Sequence, residues 1–475
     1  MTEQNHQYCL QFKVLSDADI EKIYQATLEC LERTGVNVLN AEARDLFAKA
    51  GAKVDGTRVR IPREVIQQTL ATSPNGFTLW GRDGQTRMDV FPGQVHFGPG
   101  LTSSYFIDPY TGKRHRSRRQ DVTAAAKVID SLENIDYIMG LALPDDVAPE
   151  RASVFEFAEM VMNARKPMMA WGQSLANVQE IHQIAAAAVG GEEALREKPI
   201  FALFAVGLGP LVIPDTIIAN AFWAAEHGIP IVYHGPGVCG ISAPVTGAGT
   251  LVVELAGSLA GLAAIQLKKQ GAPVCLGSVP TPMDPRNARP LYGSPELSLY
   301  SAALSEICTH LNLPLMGTSG ASEAKTVDLQ AAIESTTQVI FSLLSRTTIP
   351  HDAGFLDCAD IGSLEMLVMN DEIISMARRT MRGIEVNDTT LMLDVIDRVG
   401  PGGEYISAKE TAKHFRKEIW LPHLLDRQPW NQWERNGSLS MLDRIQVRIR
   451  EILQTHVPHP LPDGALEKIT AILEK

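Results

Sequence analysis

Eight short apolar runs recur between residues 95 and 352 at spacings of roughly 30 to 43 residues. They are Val95 to Phe97, Tyr137 to Ala142, Met168 to Trp171, Phe201 to Val206, Ile231 to Tyr233, Val274 to Val279, Leu313 to Met316 and Thr347 to Ile349. Between most of them lies a stretch with helical apolar period. Strand alternating with helix implies an α/β fold with a parallel sheet, and eight such units are the number that closes a (β/α)8 TIM barrel. A barrel of that kind carries its chemistry at the C-terminal ends of its strands. The chain has 475 residues, more than the roughly 250 of a bare barrel, so substantial additions are expected.

The additions fall at both ends. Ser16 with Asp19 forms a capping-box pattern, Ile20, Ile23, Tyr24, Leu28 and Leu31 follow at helical spacing, and Gly35 stands where a helix stops. A second helix is expected near Ala41 to Ala50 and a third after Pro62. Phe77 to Arg82 and Gln85 to Val90 flank Asp83-Gly84, a hairpin signal. Residues 1–94 therefore read as an N-terminal helical cap and hairpin, 95–382 as the barrel, and 383–475 as a C-terminal helical extension. That extension includes Ala408 to Trp420, Leu439 to His456 and Gly464 to Glu474.

The 45% hydrophobic content suits a folded, soluble protein, and the net charge of −12 argues against broad binding to nucleic acid or anionic membrane. Nothing in Met1 to Leu15 resembles a targeting peptide. Gly247 to Leu267 is Gly/Ala-rich but carries Glu254, and reads as a buried barrel helix, not a membrane span. The six cysteines (Cys9, Cys30, Cys239, Cys275, Cys308, Cys358) show no metal or redox spacing, as expected of free thiols in a reducing cytoplasm.

Glycine-rich turns follow several runs: Gly98-Pro99-Gly100, Gly207-Leu208-Gly209, Gly235-Pro236-Gly237 and Gly317-Thr318-Ser319-Gly320. They allow either a simple turn or close approach of a ligand to backbone, and none has phosphate-loop spacing. Phe97, Tyr105, Phe106, Trp171, Phe204, Tyr233 and Phe355 fall at or just beyond predicted strand ends. Singly each is an ordinary core residue. As a set at one barrel end they make the ring of π faces that a quaternary ammonium needs, since it has no N–H to donate. His96, His234 and His351-Asp352 also sit near strand ends. A metallohydrolase barrel wants a His-x-His pair after its first strand, which Val95-His96-Phe97 lacks, so substrate orientation or structural hydrogen bonding is expected of them, with no metal. Lys325, near Glu323, is either an exposed loop lysine or a Schiff-base former. Glu365 and Asn370 follow the eighth run, either solvated or paired with substrate charge. The run Arg114-His115-Arg116-Ser117-Arg118-Arg119 is the one dense basic patch, a solvated face or a docking patch for an acidic partner.

Along nearly its whole length the chain resembles the trimethylamine methyltransferase superfamily, in its branch lacking pyrrolysine. The resemblance is carried by Phe97-Gly98-Pro99-Gly100, Ile107-Asp108-Pro109, Thr111-Gly112-Lys113-Arg114 and Pro144-Asp145-Asp146-Val147. It continues through Asn370-Asp371-Glu372-Ile373, Arg382-Gly383-Ile384-Glu385-Val386, Val399-Gly400-Pro401-Gly402-Gly403 and His414-Phe415-Arg416-Lys417-Glu418. It implies a barrel enzyme that moves a methyl group from a methylated amine to the reduced cobalt of a separate corrinoid protein, with no tightly bound cofactor of its own. The family's founding member uses an encoded pyrrolysine near the end of the seventh strand. This chain has ordinary residues in that neighbourhood, Gly320 to Thr326. The branch without pyrrolysine includes enzymes acting on glycine betaine and related quaternary amines.

The expected reaction is therefore transfer of a methyl group from glycine betaine to cob(I)alamin on a partner corrinoid protein, releasing dimethylglycine. The expected cage is Phe97, Tyr105, Trp171, Phe204, Tyr233 and Phe355, with His234 and His351 holding the substrate carboxylate. Assembly with further copies of the chain is expected, and neither nucleic acid nor membrane as partner. Carnitine, proline betaine and butyrobetaine are alternative donors; a Lys325 lyase and a non-catalytic quaternary-amine binder are the alternative functions.

Overall fold

A computed structural model describes residues 12–475; Cys9 and most of the Met1 to Leu15 stretch lie outside the described residues. Six strands form one parallel sheet: β1 (Met168–Ala170), β2 (Phe201–Val206), β3 (Ile231–His234), β4 (Val274–Gly277), β5 (Leu315–Thr318) and β6 (Ile349–His351), neighbours in chain order. The first two apolar runs supply the remaining staves through backbone hydrogen bonds without regular ladders. His96 N and Gly98 N donate to Thr348 O and Pro350 O on the β6 side, at 2.9 and 3.0 Å. Asp136 N donates to Phe97 O at 2.7 Å and Leu141 N to Gly100 O at 3.0 Å, while Ile138 N reaches Pro167 O beside β1 at 2.9 Å. The barrel thus closes. Pro99 has no N–H to give a ladder, which explains why the first stave stays irregular.

β5 and β6 begin two residues later than their apolar runs suggest. Pro314 has no N–H to donate, and the Thr348 side chain accepts from Leu315 N at 3.2 Å in place of main chain. The shift brings Thr318 and His351 into the sheet's last rungs, where they pair in register.

Side chains alternate across each strand. Tyr137, Met139, Met169, Ala202, Val232, Cys275, Met316 and Ile349 face into the barrel. The hairpin Phe77–Trp80 with Arg87–Val90 joins them from the N-terminal side, contributing Phe77, Leu79, Met88 and Val90 to the same cluster. The floor of the barrel is therefore an apolar plug, leaving the other end for chemistry. The opposite faces of the strands, with Leu203, Tyr233, Leu276 and Leu315, join the surrounding helices in the larger core.

Gly247–Lys268 packs directly on the barrel, with its Gly257 against Gly235. Among the described residues it alone is long and apolar enough to cross a membrane, and most of it is buried within the fold. Ser16 and Asp19 make both halves of the capping box on the helix Asp17–Arg33, and Gly35 takes a positive φ of 73° after it. The strands Val36–Val38, Lys53–Asp55 and Arg58–Arg60 form a small sheet with Val212–Ile213 that the sequence analysis missed. Three residues are too few to display alternation, and Lys53–Asp55 is exposed throughout.

The C-terminal helices Met441–Thr455 and Ala465–Leu473 bury Ile445, Ile449, Ile452, Ile469 and Ile472 in the main core. The Asn370-Asp371-Glu372 motif explains how this region is anchored. Glu372 accepts backbone N–H groups from His423, Leu424 and Leu425 at 3.1, 2.9 and 3.0 Å. Asp371 accepts from Asn134 N at 2.7 Å, and Asn370 from Gly354 N at 2.9 Å while donating to Ser335. Three consecutive side chains thus tie three separate segments to one helix. Asn370 is fully buried in this joint and not turned to solvent.

Candidate functional site

Two residues beyond the inward-facing Met169, Val232, Met316 and Ile349 stand Trp171, His234, Thr318 and His351. Phe204 packs against the same inner cluster. The pleat therefore aims these five side chains into the C-terminal mouth. Phe204 and His351 face each other with ring centroids 6.1 Å apart and planes at 54°. In the β1–β2 register Ala170 lies opposite Leu203, which makes Trp171 and Phe204 neighbours one step on. The mouth has an aromatic arc over β1 and β2 and a polar arc over β3 to β6.

Two imidazoles anchor the polar arc. His351 Nδ1 lies 2.7 Å from Gly317 O; a carbonyl only accepts, so Nδ1 carries the proton. Its Nε2 is 3.4 Å from Asp352 Oδ1, and Asp352 also accepts from the Thr318 hydroxyl. Asp352 is buried with a φ of 85°, a left-handed backbone in a non-glycine residue at a strand end. His234 has the opposite wiring: Val279 N–H donates to Nε2 at 3.1 Å, leaving Nδ1 to hold the proton. That Nε2 is 3.8 Å from Glu254 Oε2. Glu254 is fully buried on the helix Gly247–Lys268 and accepts from the Ser278 hydroxyl, while its Oε1 has no hydrogen-bond partner. Burial, and then the charges of Asp352, Cys358 and Glu254, push the Tyr292 hydroxyl up, which ties both carboxylates to one neighbourhood.

Behind the aromatic arc, Trp171 Nε1 donates to Glu156 Oε2 at 3.0 Å. Burial pushes the Glu156 carboxyl up to about 8, against the lowering effect of the Trp171 and Gly140 N–H groups. The folded protein then keeps a proton that the unfolded chain releases near 4.5. Folding stability from this group is complete below that lower value and is lost as pH rises through about 8. Above pH 8 Glu156→Gln is expected to be more stable than the parent by on the order of a few kcal/mol, and so to melt at a higher temperature, with the difference shrinking toward pH 5. Parallel melting curves across that range would contradict this assignment.

The remaining residues of the expected cage do not meet there. Phe97 faces the helices, 1% exposed, with the Arg378 guanidinium 5.7 Å from its ring, while its neighbour Gly98 faces inward against Tyr137. Tyr233 also points outward, its ring against Gly261. Tyr105 lies on a hairpin strand, with Arg114 and Arg116 over its ring at 4.2 and 4.8 Å. Phe355 is buried, its ring seated on Gly100 at the rim, and Phe106 is in the core. Position near a strand end is not enough: a step of one residue turns a side chain to the other face. His96 bonds Asp89 O at the floor, 2.9 Å away. Lys325 is solvent-facing and paired with Asp357 at 3.2 Å, without the desolvation a Schiff-base amine needs. Glu365 is buried beside the Ser363 hydroxyl, and burial pushes its carboxyl up. Among the described residues no cluster of His, Cys, Asp and Glu is arranged to hold a metal ion.

Sequence reasoning passed over Glu156 and Ser278, named Thr318 only as part of a glycine-rich turn, and did not bring Glu254 to the site. Glu254 had a signal: one carboxylate in an otherwise apolar helix is costly to bury unless it has a partner.

The family model for trimethylamine methyltransferase (MTTB) matches residues 2–475. The chain is 30% identical over 466 residues to trimethylamine methyltransferase MttB of Desulfitobacterium hafniense (strain DSM 10664 / DCB-2), covering 97% of this chain and 93% of that one. It is 28% identical over 465 residues to the glycine betaine methyltransferase of Desulfitobacterium hafniense (strain Y51), covering 98% and 97%. It is 31% identical over 472 residues to MttB of Methanosarcina thermophila, covering 97% of each. In fold it matches the crystal structure of the hydroxylamine MtmB complex with a TM-score of 0.51 at 14% identity, over 96% of this chain and 94% of that one. With a family model matched across its length and relatives near 30% identity, the chain belongs to the trimethylamine methyltransferase (MTTB) family.

Proposed function

We propose that this protein transfers a methyl group from a quaternary amine, with glycine betaine the favoured donor, to cob(I)alamin held by a partner corrinoid protein, releasing dimethylglycine. The observation that carries this reading is the division of the mouth into an aromatic arc, Trp171 and Phe204, and an arc with two imidazoles, His234 and His351. Glycine betaine has the matching halves. Its trimethylammonium suits π faces, and its carboxylate suits an imidazole N–H donor, which His234 offers at Nδ1. A relative named glycine betaine methyltransferase supports the same choice, as do the ordinary residues from Gly320 to Thr326.

The chemistry makes modest demands on the protein. A quaternary nitrogen carries full positive charge and leaves as a neutral amine, so no general acid is needed to release it. Cob(I)alamin supplies the nucleophile. The chain's own residues hold the donor in line and exclude water. Binding the cation tightly would by itself slow the step, because charge leaves nitrogen in the transition state. Two rings with carboxylates held behind other partners fit this: Asp352 is engaged by Thr318 and faces His351, and Glu254 is engaged by Ser278. The cation thus meets polarisable faces in place of a fixed counter-ion.

Calorimetric titration tests the aromatic arc. Phe204→Ala is expected to bind glycine betaine about tenfold more weakly than the parent, ~1.4 kcal/mol. An unchanged affinity would remove Phe204 from the binding site.

A further inference from the structure

The one dense basic run of the sequence finds its place at the barrel mouth. Strand Tyr105–Ile107 follows the first stave, turns through residues 108–113 and returns as Arg114–Arg116. Tyr105 and Phe106 pair in parallel with Ile361 and Gly362, which follow β6. The hairpin is therefore built from two loops on the C-terminal face, the face the methyl acceptor has to reach. Lys113, Arg114, Arg116 and Arg118 are all exposed. Among the described residues none of the four has a carboxylate within ion-pair distance. The neighbouring acids are committed: Asp121 accepts from Arg118 N at 2.7 Å and Asp146 from Arg119 N at 2.9 Å. Tyr105 holds Arg114 and Arg116 in place, both guanidiniums stacked over its ring. Unpaired, pre-positioned cations stand out on a chain of net charge −12.

We propose that this hairpin is the docking surface for an acidic face of the protein that carries the corrinoid. The proposal rests on the methyl-transfer reading above. A corrinoid delivered by a protein brings a large surface to the mouth, and a positive rim on an otherwise negative molecule guides an acidic face there and sets its orientation. A patch of this sign attracts acidic surfaces and repels basic ones.

The test compares two acceptors under anaerobic conditions: free cob(I)alamin, and a cobalamin-loaded corrinoid protein that the parent enzyme methylates. The variants are Arg114→Glu/Arg116→Glu and, leaving the Tyr105 stack untouched, Lys113→Glu. The double variant is expected to raise the KM for the corrinoid protein by about tenfold or more at low salt and to flatten its salt dependence. Lys113→Glu is expected to do so to a smaller degree. Transfer to free cob(I)alamin is expected to be unchanged in both. An unchanged KM for the corrinoid protein in both variants, with free transfer intact, overturns the docking surface. Equal loss with both acceptors also overturns it, because the effect would then lie in the reaction and not in docking. If the parent methylates neither free cob(I)alamin nor any cobalamin-loaded corrinoid protein supplied, the functional reading falls and the docking proposal with it. Retention of the variants' corrinoid-protein KM alongside loss of binding to a DNA duplex would assign the patch to nucleic acid and overturn it as well.

Discussion

Gly261→Ala is expected to cost about 3 kcal/mol of folding stability, read by urea unfolding. A Cβ at that position would sit 1.9 Å from Cε1 of Tyr233. The ring has nowhere to go: Tyr233 is 1% exposed, and its strand is hydrogen-bonded on one side to β2 and on the other to β4. Nor does the helix have room to retreat. One turn earlier Gly257 touches Gly235, where an added Cβ would come within 2.4 Å of the Gly257 carbonyl carbon. Between these contacts Ser258 accepts from Gly235 N and donates to Gly277 O, at 3.1 and 3.0 Å. The same strand and helix carry His234 and Glu254, so activity is expected to fall together with stability. A double variant that also shortens the ring, Gly261→Ala with Tyr233→Leu, should recover part of the loss. A loss below about 0.5 kcal/mol in the single variant would contradict this packing.

The second large effect is expected at Asp352. Asparagine there keeps an acceptor for the Thr318 hydroxyl and tolerates the left-handed backbone at φ 85°. It removes only the negative charge that faces His351 Nε2 at 3.4 Å. His351 donates from Nδ1 to Gly317 O, and Asp352 beside Nε2 fixes the other end of the ring, so the carboxylate orients His351 within the mouth. Asp352→Asn is expected to raise the KM for glycine betaine about thirtyfold, ~2 kcal/mol, with the melting temperature little changed. A loss of stability with KM unchanged would make Asp352 a structural residue alone.

The barrel was readable in the sequence because buried parallel strands appear as near-continuous apolar runs and each crossover helix spaces them widely. Phe201–Val206 shows this best, since run and strand have the same limits. Leu313 to Met316 misled by two residues because Pro314, apolar in pattern, cannot join a ladder. The mouth was only half legible. Trp171, Phe204, His234 and His351 were named from their distance to strand ends, and they do face inward. Phe97 and Tyr233 were named on the same basis and face outward, since a displaced register reverses a side chain's direction and strand limits were uncertain by a residue or two. The Glu254–Ser278 and Asp352–Thr318 pairs depend on which loops meet in space, a fact no local pattern encodes. Asn370-Asp371-Glu372 carries the family resemblance in the linear sequence, and its three polar side chains are taken up by Gly354, Asn134 and the His423–Leu425 backbone.

An anaerobic absorbance assay with purified protein, cob(I)alamin and a panel of methylated amines tests the proposed reaction most directly. Enzyme-dependent formation of methylcob(III)alamin with glycine betaine, and none with trimethylamine, is the predicted result. Conversion with trimethylamine alone, or none with any quaternary amine on either free or protein-bound corrinoid, would contradict it.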